Sequence, residues 1–536
     1  MRTVSIERWF LDPSERGNRS TSIDERRGGD RAWTEGNQVT ALIHGATYFS
    51  RLHKELTRLG TGDHVWFLEW RGDAGERMAG PGTELGSVLR AAIRRGVDVR
   101  GLVWRSHPNQ TKFSEQENAH VGMVVNTAGG EVFLDERVRR FGSHHQKLVL
   151  ITRDGRPEED VAFVGGIDLC HGRGDDEHHQ GDPQTADLDP RYGPRPAWHD
   201  VQLEVRGPGV GDLAEIFRER WSDPTPLDHQ DPLRRAIQRF TRQPRRPSAL
   251  PPAAPDPPAA GNMAVQVLRT YPAKRPPFPF APKGERSVAR AYAKALEGAR
   301  SLIYVEDQYF WSREVAPYFA DALRRSPGLR MIVVVPRYPD RNGLVSGPLS
   351  RVGQLEAMAI VRDAGGQRAA FYDIENEDGR PIYVHGKVCV IDDVWITIGS
   401  DNLNRRSWTH DSEATCAVLD PELDERQPVD PGGQGDGARV FARTVRMTFW
   451  REHLGSDVSE QELLDPLKGF EAWQRAADAL DAWHARNERG PRPGGRVRVH
   501  QVARVRPWAI WWARPLYKLG VDPDGRPRAM TRSGAF

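Results

Sequence analysis

The sequence predicts an α/β protein built from two similar domains. Segments with strand patterns alternate with segments that have helical patterns, the same order of segments occurs twice, and a proline-rich stretch separates the two copies. Alternating strands and helices are typical of layered α/β folds with a largely buried sheet. At 536 residues the chain is long enough for such domains to have well-buried cores.

The first copy contains four predicted strands and one predicted helix. In chain order they are the strand "HVWFLEW" (64–70), the helix "LGSVLRAAIRRG" (85–96), and the strands "VDVRGLVW" (97–104), "HHQKLVLI" (144–151) and "VAFVGGIDL" (161–169). Short apolar runs rich in Val, Ile and Phe favour buried strands, and Gly at the end of a periodic segment favours a helix stop.

The second copy repeats this order. Its segments are the strand "SLIYVEDQYF" (301–310), the helix "VAPYFADALRRSPG" (315–328), and the strands "LRMIVVVP" (329–336), "VHGKVCVI" (384–391) and "VWITIGSDNL" (394–403). Glu69 lies 76 residues before His145, and Glu306 lies 79 residues before His385. This matched spacing indicates an internal duplication.

The stretch "QPRRPSALPPAAPDPPAA" (243–260) lies between the copies and has the composition of a stiff linker. We therefore expect a first domain over residues 1–240, a linker over 241–262, a second domain over 263–452 and a helical, Trp- and Arg-rich extension over 453–536. We expect the protein to act as a monomer because the two copies together can complete one site.

Composition excludes several classes of protein. The balance of 76 basic against 74 acidic residues argues against a nucleic-acid partner. No apolar run approaches the ~20 residues of a membrane span, and the N-terminus lacks the apolar segment of a secretory signal. The three cysteines are expected to be packed thiols of a reducing compartment. We expect a cytoplasmic protein or one peripheral to a membrane, and export by a signal-independent system stays open.

Two His-x-Lys elements carry the predicted chemistry. Alternate residues of an extended segment share a face, so His385 and Lys387 should lie side by side. In the first copy only His145 has this spacing, with Lys147, whereas His144 should face the other way. An imidazole beside an ammonium group, next to the small polar run Gly-Ser-Asp-Asn at the end of the neighbouring strand, indicates an anion site.

These elements resemble the signature of the phospholipase D superfamily, H-x-K-x4-D followed by G-S-x-N. The second copy matches without a gap through His385, Lys387, Asp392, Gly399, Ser400 and Asn402. The first copy, with Gly166 and Asp168 in place of Ser and Asn, resembles the eukaryotic-type enzymes. The resemblance covers most of residues 41–451. It implies two phospholipase D-type α/β sandwich domains that form a pseudo-dimer with the active site between them, without the accessory lipid-binding domains.

The resemblance also implies roles for the matched residues. One histidine attacks phosphorus and the other acts as acid and base; His145 is expected as the nucleophile and His385 as the acid/base, although the residues alone do not order them. Lys147, Lys387 and Asn402 are expected to hold the phosphate oxygens. We expect no cofactor and no metal ion in this site.

Further residues are expected to support this site. Asp200 is predicted to orient His145, and Glu413 to orient His385, with Asp411 as the rival of Glu413. Asp168 is predicted to pair with Lys147, and Asp392 to brace the structure behind the site. The expected substrate-side residues are Gly166, Ser400, Gln308 and Tyr309.

Thr152 stands where the first copy should repeat Asp392, in what looks like a lengthened turn.

Two other segments leave alternatives open. The segment 171–182, "HGRGDDEHHQGD", is rich in His and acidic residues, and its irregular spacing favours a solvated loop over a metal site. The tail 504–520 concentrates Trp508, Trp511 and Trp512 among basic residues. We expect an arm packed on the domains, with a lipid-interface segment as the alternative.

The predicted function is hydrolysis of the distal phosphodiester of glycerophospholipids at a membrane surface. The products would be phosphatidic acid and a head-group alcohol, formed through a phosphohistidine, with transfer of the phosphatidyl group to another alcohol as a further outcome. The alternatives are a phosphatidyl-transferring synthase and a nuclease of the same superfamily.

Overall fold

The computed structural model describes residues 5–106, 115–185, 187–227, 246–340, 346–502, 513–533 and 536. Within these ranges most strands join a 16-stranded sheet, and two short strands form a separate parallel pair. The strands are β1 Thr34–Ile43, β2 His64–Glu69, β3 Asp98–Trp104, β4 Glu131–Asp135, β5 Leu148–Thr152, β6 Val161–Gly165, β7 Ala197–His199, β8 Val201–Arg206, β9 Met263–Tyr271, β10 Glu285–Arg286, β11 Leu302–Glu306, β12 Arg330–Val334, β13 Ala369–Ile374, β14 Ile382–Val384, β15 Val388–Ile391, β16 Trp395–Gly399, β17 Glu413–Leu419 and β18 Val497–Val499.

Helices cover both faces of the large sheet. Their bounds are Ile6–Trp9, Pro13–Arg16, Ser22–Glu25, Gly45–Thr57, Leu85–Arg94, Glu115–Thr127, Gly209–Trp221, Ser287–Gly298, Ala316–Arg325, Ser346–Gly365, Arg405–Thr409, Val440–Leu454, Glu460–Leu464, Pro466–Ala485 and Arg528–Ser533.

The sheet consists of two halves with the same strand order. From the edge inward, the first half runs β4-β3-β2-β5-β6-β8-β1 and the second runs β13-β12-β11-β15-β16-β17-β9. In each half the two outer pairings are parallel and the inner ones are antiparallel. The halves join where β1 pairs antiparallel with β9. The prediction of two similar α/β domains is confirmed.

Two segments cross the predicted domain boundaries. Near the N-terminus, Trp9, Phe10, Leu11 and Trp33 are buried in the core of the second half, against the helix Ser287–Gly298 and its neighbours. At the other end, β18 lies in the predicted extension and adds an edge strand beside β13. The second half is therefore completed by chain from both ends of the sequence.

The Pro/Ala-rich stretch has little regular structure but is attached to the first half. The carbonyl of Ser248 accepts a hydrogen bond from Trp221 Nε1 at 2.7 Å, and that of Ala249 accepts one from Arg100 at 2.9 Å. Its path is therefore fixed along the first half by backbone carbonyls.

The described part of the tail packs on the second half. Tyr517 is buried and donates a hydrogen bond to the carbonyl of Trp311. The backbone N–H of Arg406 is bonded to Asp522 at 2.8 Å. Trp508, Trp511 and Trp512, on which the sequence prediction for the tail depends, lie outside the described residues. Among the helices that are described, none is long and apolar enough to cross a membrane.

The turn between β15 and β16 braces the second half. Asp392 and Asp393 both have left-handed backbone, with φ of 54° and 57°. The Asp392 carboxylate accepts hydrogen bonds at 2.7–2.8 Å from three successive backbone N–H groups, those of residues 300–302. Since β15 separates Asp392 from Lys387, its role is to fix the start of β11. These contacts agree with the bracing role expected from the sequence, and they give Asp392 no contact with the reacting groups.

In the first half the bracing carboxylate lies before strand β2, not after its partner strand β5. Asp63, just before β2, accepts a hydrogen bond from the backbone N–H of Asp154 at 3.0 Å and one from Gly60 at 2.9 Å. The first half therefore does not need an acidic residue at Thr152, at the end of β5, because Asp63 makes the bracing contacts that Asp392 makes in the second half.

We expect the Asp392→Ala variant to lower the free energy of unfolding by about 3 kcal/mol, because three backbone N–H groups, one of them buried and two half-buried, lose their acceptor. Asp63→Ala should cost about 2 kcal/mol for the same reason. The control is Asp154→Ala, whose side chain is exposed and should change stability by less than about 0.5 kcal/mol. Denaturant unfolding of the three variants measures this, and equal losses in all three would contradict the bracing role.

Candidate active site

Each His-x-Lys element lies where the chain passes from one sheet contact to another. His385 and Lys387 fall between β14 and β15 rather than inside one strand, and both are buried, at 5% and 2% exposed. The amino group of Lys387 donates a hydrogen bond to the carbonyl of His385. The alternate spacing therefore brings the two side chains together as predicted, but in a connection between two strands, where the carbonyl of Lys387 still accepts the backbone N–H of Gly399 at 3.3 Å.

The first half repeats this arrangement. His145 and Lys147 precede β5, and Lys147 Nζ donates to the carbonyl of His145 at 3.0 Å. His144 is fully buried on the far side, with its Nδ1 4.0 Å from Asp135. The duplication thus correctly identified which of the two adjacent histidines faces the site.

The two histidines are bound by carboxylates in a crossed arrangement. His145 Nδ1 lies 2.9 Å from Glu413 Oε2, and His385 Nδ1 lies 2.6 Å from Asp200 Oδ2. The sequence prediction assigned Asp200 to His145 and Glu413 to His385, and both assignments were wrong. Each histidine is held by the carboxylate of the opposite half.

Backbone pairing between the halves explains the crossing. β14, which leads into His385, pairs in parallel with β7, which leads into Asp200. The backbone N–H of His385 donates to the carbonyl of His199 at 2.8 Å, and that of His145 donates to the carbonyl of Ser412 at 2.9 Å. A carboxylate one residue beyond each pairing therefore faces the histidine of the other half.

Glycine and a tryptophan allow Asp200 its position. A Cβ on Gly166 would lie 2.1 Å from Asp200 Oδ1, so only glycine fits there. Trp198 Nε1 lies 3.3 Å from Asp200 Oδ2, and its ring centre lies 4.9 Å from that of His385. Gly166 thus leaves the space that the Asp200 carboxylate occupies. It has no side chain with which to make the predicted contact with substrate.

Serine takes this place on the other side. Ser400 Oγ donates to Glu413 Oε2 at 2.6 Å and accepts from the backbone N–H of Ala414 at 3.0 Å. Its predicted role as a substrate contact is therefore replaced by a positioning role. Asp411, the rival of Glu413, binds Arg406 at 2.7 Å and the backbone N–H of Ser143 at 2.8 Å, so it does not serve His385.

Polar side chains lie beside the two lysines. Asp168 Oδ1 lies 3.5 Å from Lys147 Nζ, as predicted for a lysine partner. Gln308 Oε1 lies 3.5 Å from Lys387 Nζ, and its amide donates to Tyr383 at 2.7 Å. Asn402 is buried, and its Oδ1 makes no hydrogen bond to any described residue.

The sequence of this chain matches a known protein family. The model of the family "Phospholipase D" matches residues 75–315 and 360–485, which is more than half of the chain. The chain belongs to the phospholipase D family. The predictions of this family and of its two-domain fold are confirmed.

Relatives within the family include plant enzymes. The chain is 26% identical to "Phospholipase D alpha 1" of Ricinus communis over 503 residues, which cover 71% of this chain and 59% of the relative. It is 27% identical to "Phospholipase D alpha 1" of Arabidopsis thaliana over 527 residues, which cover 76% of this chain and 63% of the relative. The chain thus spans about three fifths of the length of these curated relatives.

Among solved structures, the crystal structure of phosphatidylserine synthase from Haemophilus influenzae Rd KW20 matches with a TM-score of 0.49 and 16% identity, covering 74% of this chain and 84% of that one.

The two carboxylates that hold the histidines of the phospholipase D site have pKa values shifted in opposite directions. Burial, followed by the charge of Asp411, raises the pKa of Glu413 to about 8. At Asp200 burial acts in the same direction, but the charge of His385 and the hydrogen bond to it prevail and lower the pKa of Asp200 to about 2. Asp200 is therefore ionised at neutral pH, whereas the Glu413 side of the site retains a proton.

Burial and neighbouring charges also shift the pKa values of histidine and lysine side chains in the site. Burial, and then the charges of Lys147 and Lys387, lower the pKa of His145 well below its usual value. Burial lowers the pKa of Lys387 to about 8, and the charge of Lys147 contributes. Lysines of the two halves thus influence one another and the same histidine. The crossed contacts of His145 with Glu413 and of His385 with Asp200 bring the two half-sites together.

Several contacts were missed from the sequence. Arg173 stacks on Trp198 with its guanidinium 3.8 Å from the ring centre. Trp70 lies beside His145, with ring centres 6.0 Å apart. Trp198 lies two residues before Asp200, and Trp70 directly follows Glu69. Their positions next to motif residues were the signal that the sequence offered. Tyr309, a predicted substrate contact, is half-buried against Trp311.

The His- and Asp-rich segment 171–182 is not a solvated loop, so that expectation was wrong. Asp175, His179 and Asp182 are all buried, and Asp182 accepts hydrogen bonds from the backbone N–H groups of Gly172 and Gly174 at 2.9–3.0 Å. The carboxylates organise the loop's own backbone and carry His179 into the interior.

We expect Gly166→Ala to lower turnover at least about 100-fold, because the new Cβ displaces Asp200 from His385. Gly60→Ala is the control, since a Cβ there meets nothing within 4 Å. The measurement is phosphodiester turnover together with the melting temperature. A folded Gly166→Ala protein with near-native turnover would contradict the seat assigned to Asp200.

Proposed function

We propose that this protein is a phospholipase D-type phosphodiesterase that hydrolyses the distal phosphodiester of glycerophospholipids to phosphatidic acid and a head-group alcohol. One observation carries the proposal. Two buried His-x-Lys pairs lie in one cleft, and each histidine has its Nδ1 held by a carboxylate. Such histidines can each use Nε2 toward a phosphate, and two lysines can neutralise its oxygens.

The different charge of the two carboxylates supports an order for the histidines. Burial and the charge of Lys387 lower the pKa of His385 as well, but the ionised Asp200 opposes them through its charge and its hydrogen bond, which supports His385 as the proton donor. His145 is kept neutral by burial and by two lysine charges, which suits a nucleophile. Environments that push two similar groups apart mark the acid and the base of a site.

The reaction then takes two steps. His145 Nε2 forms a bond to phosphorus as the bond to the head-group oxygen breaks, and that oxygen takes the Nε2 proton of His385. A water molecule next attacks phosphorus, gives its proton to His385, and the N–P bond breaks with its electron pair returning to His145. An alcohol in place of water gives transfer of the phosphatidyl group.

Lys147, Lys387 and Asn402 bind the non-bridging oxygens in this proposal. Asn402 would donate to a phosphate oxygen through its Nδ2 amide, because its Oδ1 is an acceptor. Lys387 supports the proposal because its ammonium group lies beside His385. The substrate would be reached at a lipid surface through peripheral contact, by a monomer with its own complete site.

The crossed pairing is tested with a substrate whose leaving group needs no proton, such as a phosphatidyl ester of p-nitrophenol. Asp200→Asn should retain the burst of p-nitrophenol, because only the acid/base His385 is disturbed, but slow steady-state turnover at least about 100-fold. The matched variant Glu413→Gln, measured above pH 8 where Glu413 is ionised, should slow the burst, because it weakens the nucleophile.

Rapid-mixing kinetics and the mass of the trapped phosphatidyl-enzyme measure the two variants. His145→Ala should form no adduct. The opposite pattern, with the burst lost in Asp200→Asn and kept in Glu413→Gln, would contradict the assigned roles, and absence of turnover on every lipid with a native-like fold would contradict the proposed function.

The pH profile of kcat/KM should be a narrow bell centred near pH 8. Nε2 of His145 becomes free only when the pair with Glu413 loses its proton, so activity rises with pH through about 8. Activity falls again as Lys387, with a pKa of about 8, loses its charge. Glu413→Gln should move only the acid limb to lower pH, and Lys387→Arg only the basic limb to higher pH.

Kinetics on a soluble short-chain substrate from roughly pH 5 to pH 10 measure both limbs. An acid limb that stays in place in Glu413→Gln would show that another group controls it.

A further inference from the structure

Behind the strand that carries Asp200 lies a cluster of buried histidines with no part in the proposed chemistry. His44, His179 and His199 surround the carboxylate of Glu452. The three histidines are at most 4% exposed. They come from three separate elements of the first half, and Glu452 lies on the helix Val440–Leu454 of the second half.

All three rings turn a nitrogen toward the same carboxylate. His44 Nε2 lies 2.9 Å from Glu452 Oε2, His179 Nε2 lies 2.8 Å from Oε1, and His199 Nδ1 lies 3.4 Å from Oε1. One ligand atom from each of the four residues lies within 4.8 Å of the other three. His199 Nδ1 is buried and makes no hydrogen bond to any described residue, although it points into this centre.

The ring separations fit a tetrahedral metal ion. The centres of the His44 and His179 rings are 5.0 Å apart, those of His44 and His199 are 5.3 Å apart, and those of His179 and His199 are 5.5 Å apart. Three imidazoles bound to one zinc ion through nitrogens at ~2.1 Å place their ring centres about 5 Å apart. The rings therefore already stand at ligand spacing, and the carboxylate lies where a fourth ligand would be.

The surroundings also suit a dication. His199 Nε2 is held by Glu306 at 2.8 Å, and His179 Nδ1 lies 3.6 Å from Asp175. Carboxylates behind metal-bound histidines orient the rings and fix their tautomers. The three carboxylates of Glu452, Glu306 and Asp175 balance a dication together with Arg496, whose guanidinium lies 3.7 Å from Glu452.

The backbone is strained at two of the histidines. His44 and His179 have φ of 68° and 53°, in the left-handed region that favours glycine. Such conformations persist where the surroundings hold the side chain in one place.

We propose that His44, His179, His199 and Glu452 bind one structural zinc ion that clamps the two halves behind the active site. Three imidazole nitrogens and one carboxylate oxygen are a ligand set that zinc takes in tetrahedral geometry. The carbonyl of His199 accepts the backbone N–H of His385, so the ion stiffens β7, which leads into Asp200 and pairs with the strand that leads into His385. It touches no reacting group, and the phosphate chemistry proceeds without it.

The first test uses the full-length wild-type protein. We expect one zinc per chain by elemental analysis after dialysis against zinc-free buffer, and a lower melting temperature after removal with a strong chelator, restored by zinc alone. Cobalt loaded in its place should give the intense visible absorption of a tetrahedral site. No bound zinc, with a melting temperature that neither zinc nor chelator changes, would overturn the proposal, as would the weak spectrum of six-coordinate cobalt.

Variants locate the site. His44→Ala and Glu452→Gln should each weaken zinc binding at least about 100-fold. His171→Ala is the matched control: it removes a histidine of the same loop that is bound to Asp73 at 3.0 Å and lies outside the cluster, and it should keep its zinc. If His44→Ala does not fold, Glu452→Gln and the cobalt spectrum of wild type decide the question. Zinc retained in Glu452→Gln but lost in His171→Ala would place the ion elsewhere.

Discussion

Burial of two lysines and two imidazoles in one cleft is the constraint on which this structure depends. Lys147 and Lys387 are almost wholly inaccessible to water, and charges in such a position require compensating partners. The compensation comes from Asp168 beside Lys147 and from the ionised Asp200, which holds His385 of the other half. Glu413 holds His145 across the same contact. Because each histidine and its carboxylate come from opposite halves, this arrangement requires both halves to be docked.

The rest of the architecture keeps that docking rigid. The large sheet runs through both halves by way of β1 and β9, and the short pair of β7 and β14 ties the segments next to the histidines. Turns far from the cleft hold the strands in register through Asp392 in one half and Asp63 in the other. Stability and site geometry thus rest on separate groups of residues.

Much of this could be predicted from the sequence. Alternation of strand and helix patterns gave the α/β class, and the repeated His-x-Lys spacing identified His145 rather than His144. These features are local, because they depend on the period of side chains along one segment. The lysine partner Asp168 followed from the family resemblance, because an ionised carboxylate beside a phosphate needs a cation to pair with.

Other features could not be predicted, for a physical reason. Which carboxylate faces which histidine depends on pairing between strands more than 180 residues apart along the chain, so the order of residues carries no signal of the crossing. The places of Ser400 and Gly166 depend in turn on those carboxylates. Likewise His179, in a segment of polar residues, is buried only because Asp175 and Asp182 satisfy the backbone of its loop.

Crossed carboxylates also bear on how a duplicated chain of this kind can arise. A single half would lack the acid that orients its own histidine, but it would carry the acid needed by a second copy of itself. Two identical copies meeting about a two-fold axis would each complete the other, so a symmetric assembly of half-length chains satisfies the same contacts. Joining the copies into one chain then changes no contact in the cleft, and it frees the two sides to diverge, as Asp200 with Gly166 and Glu413 with Ser400 have done.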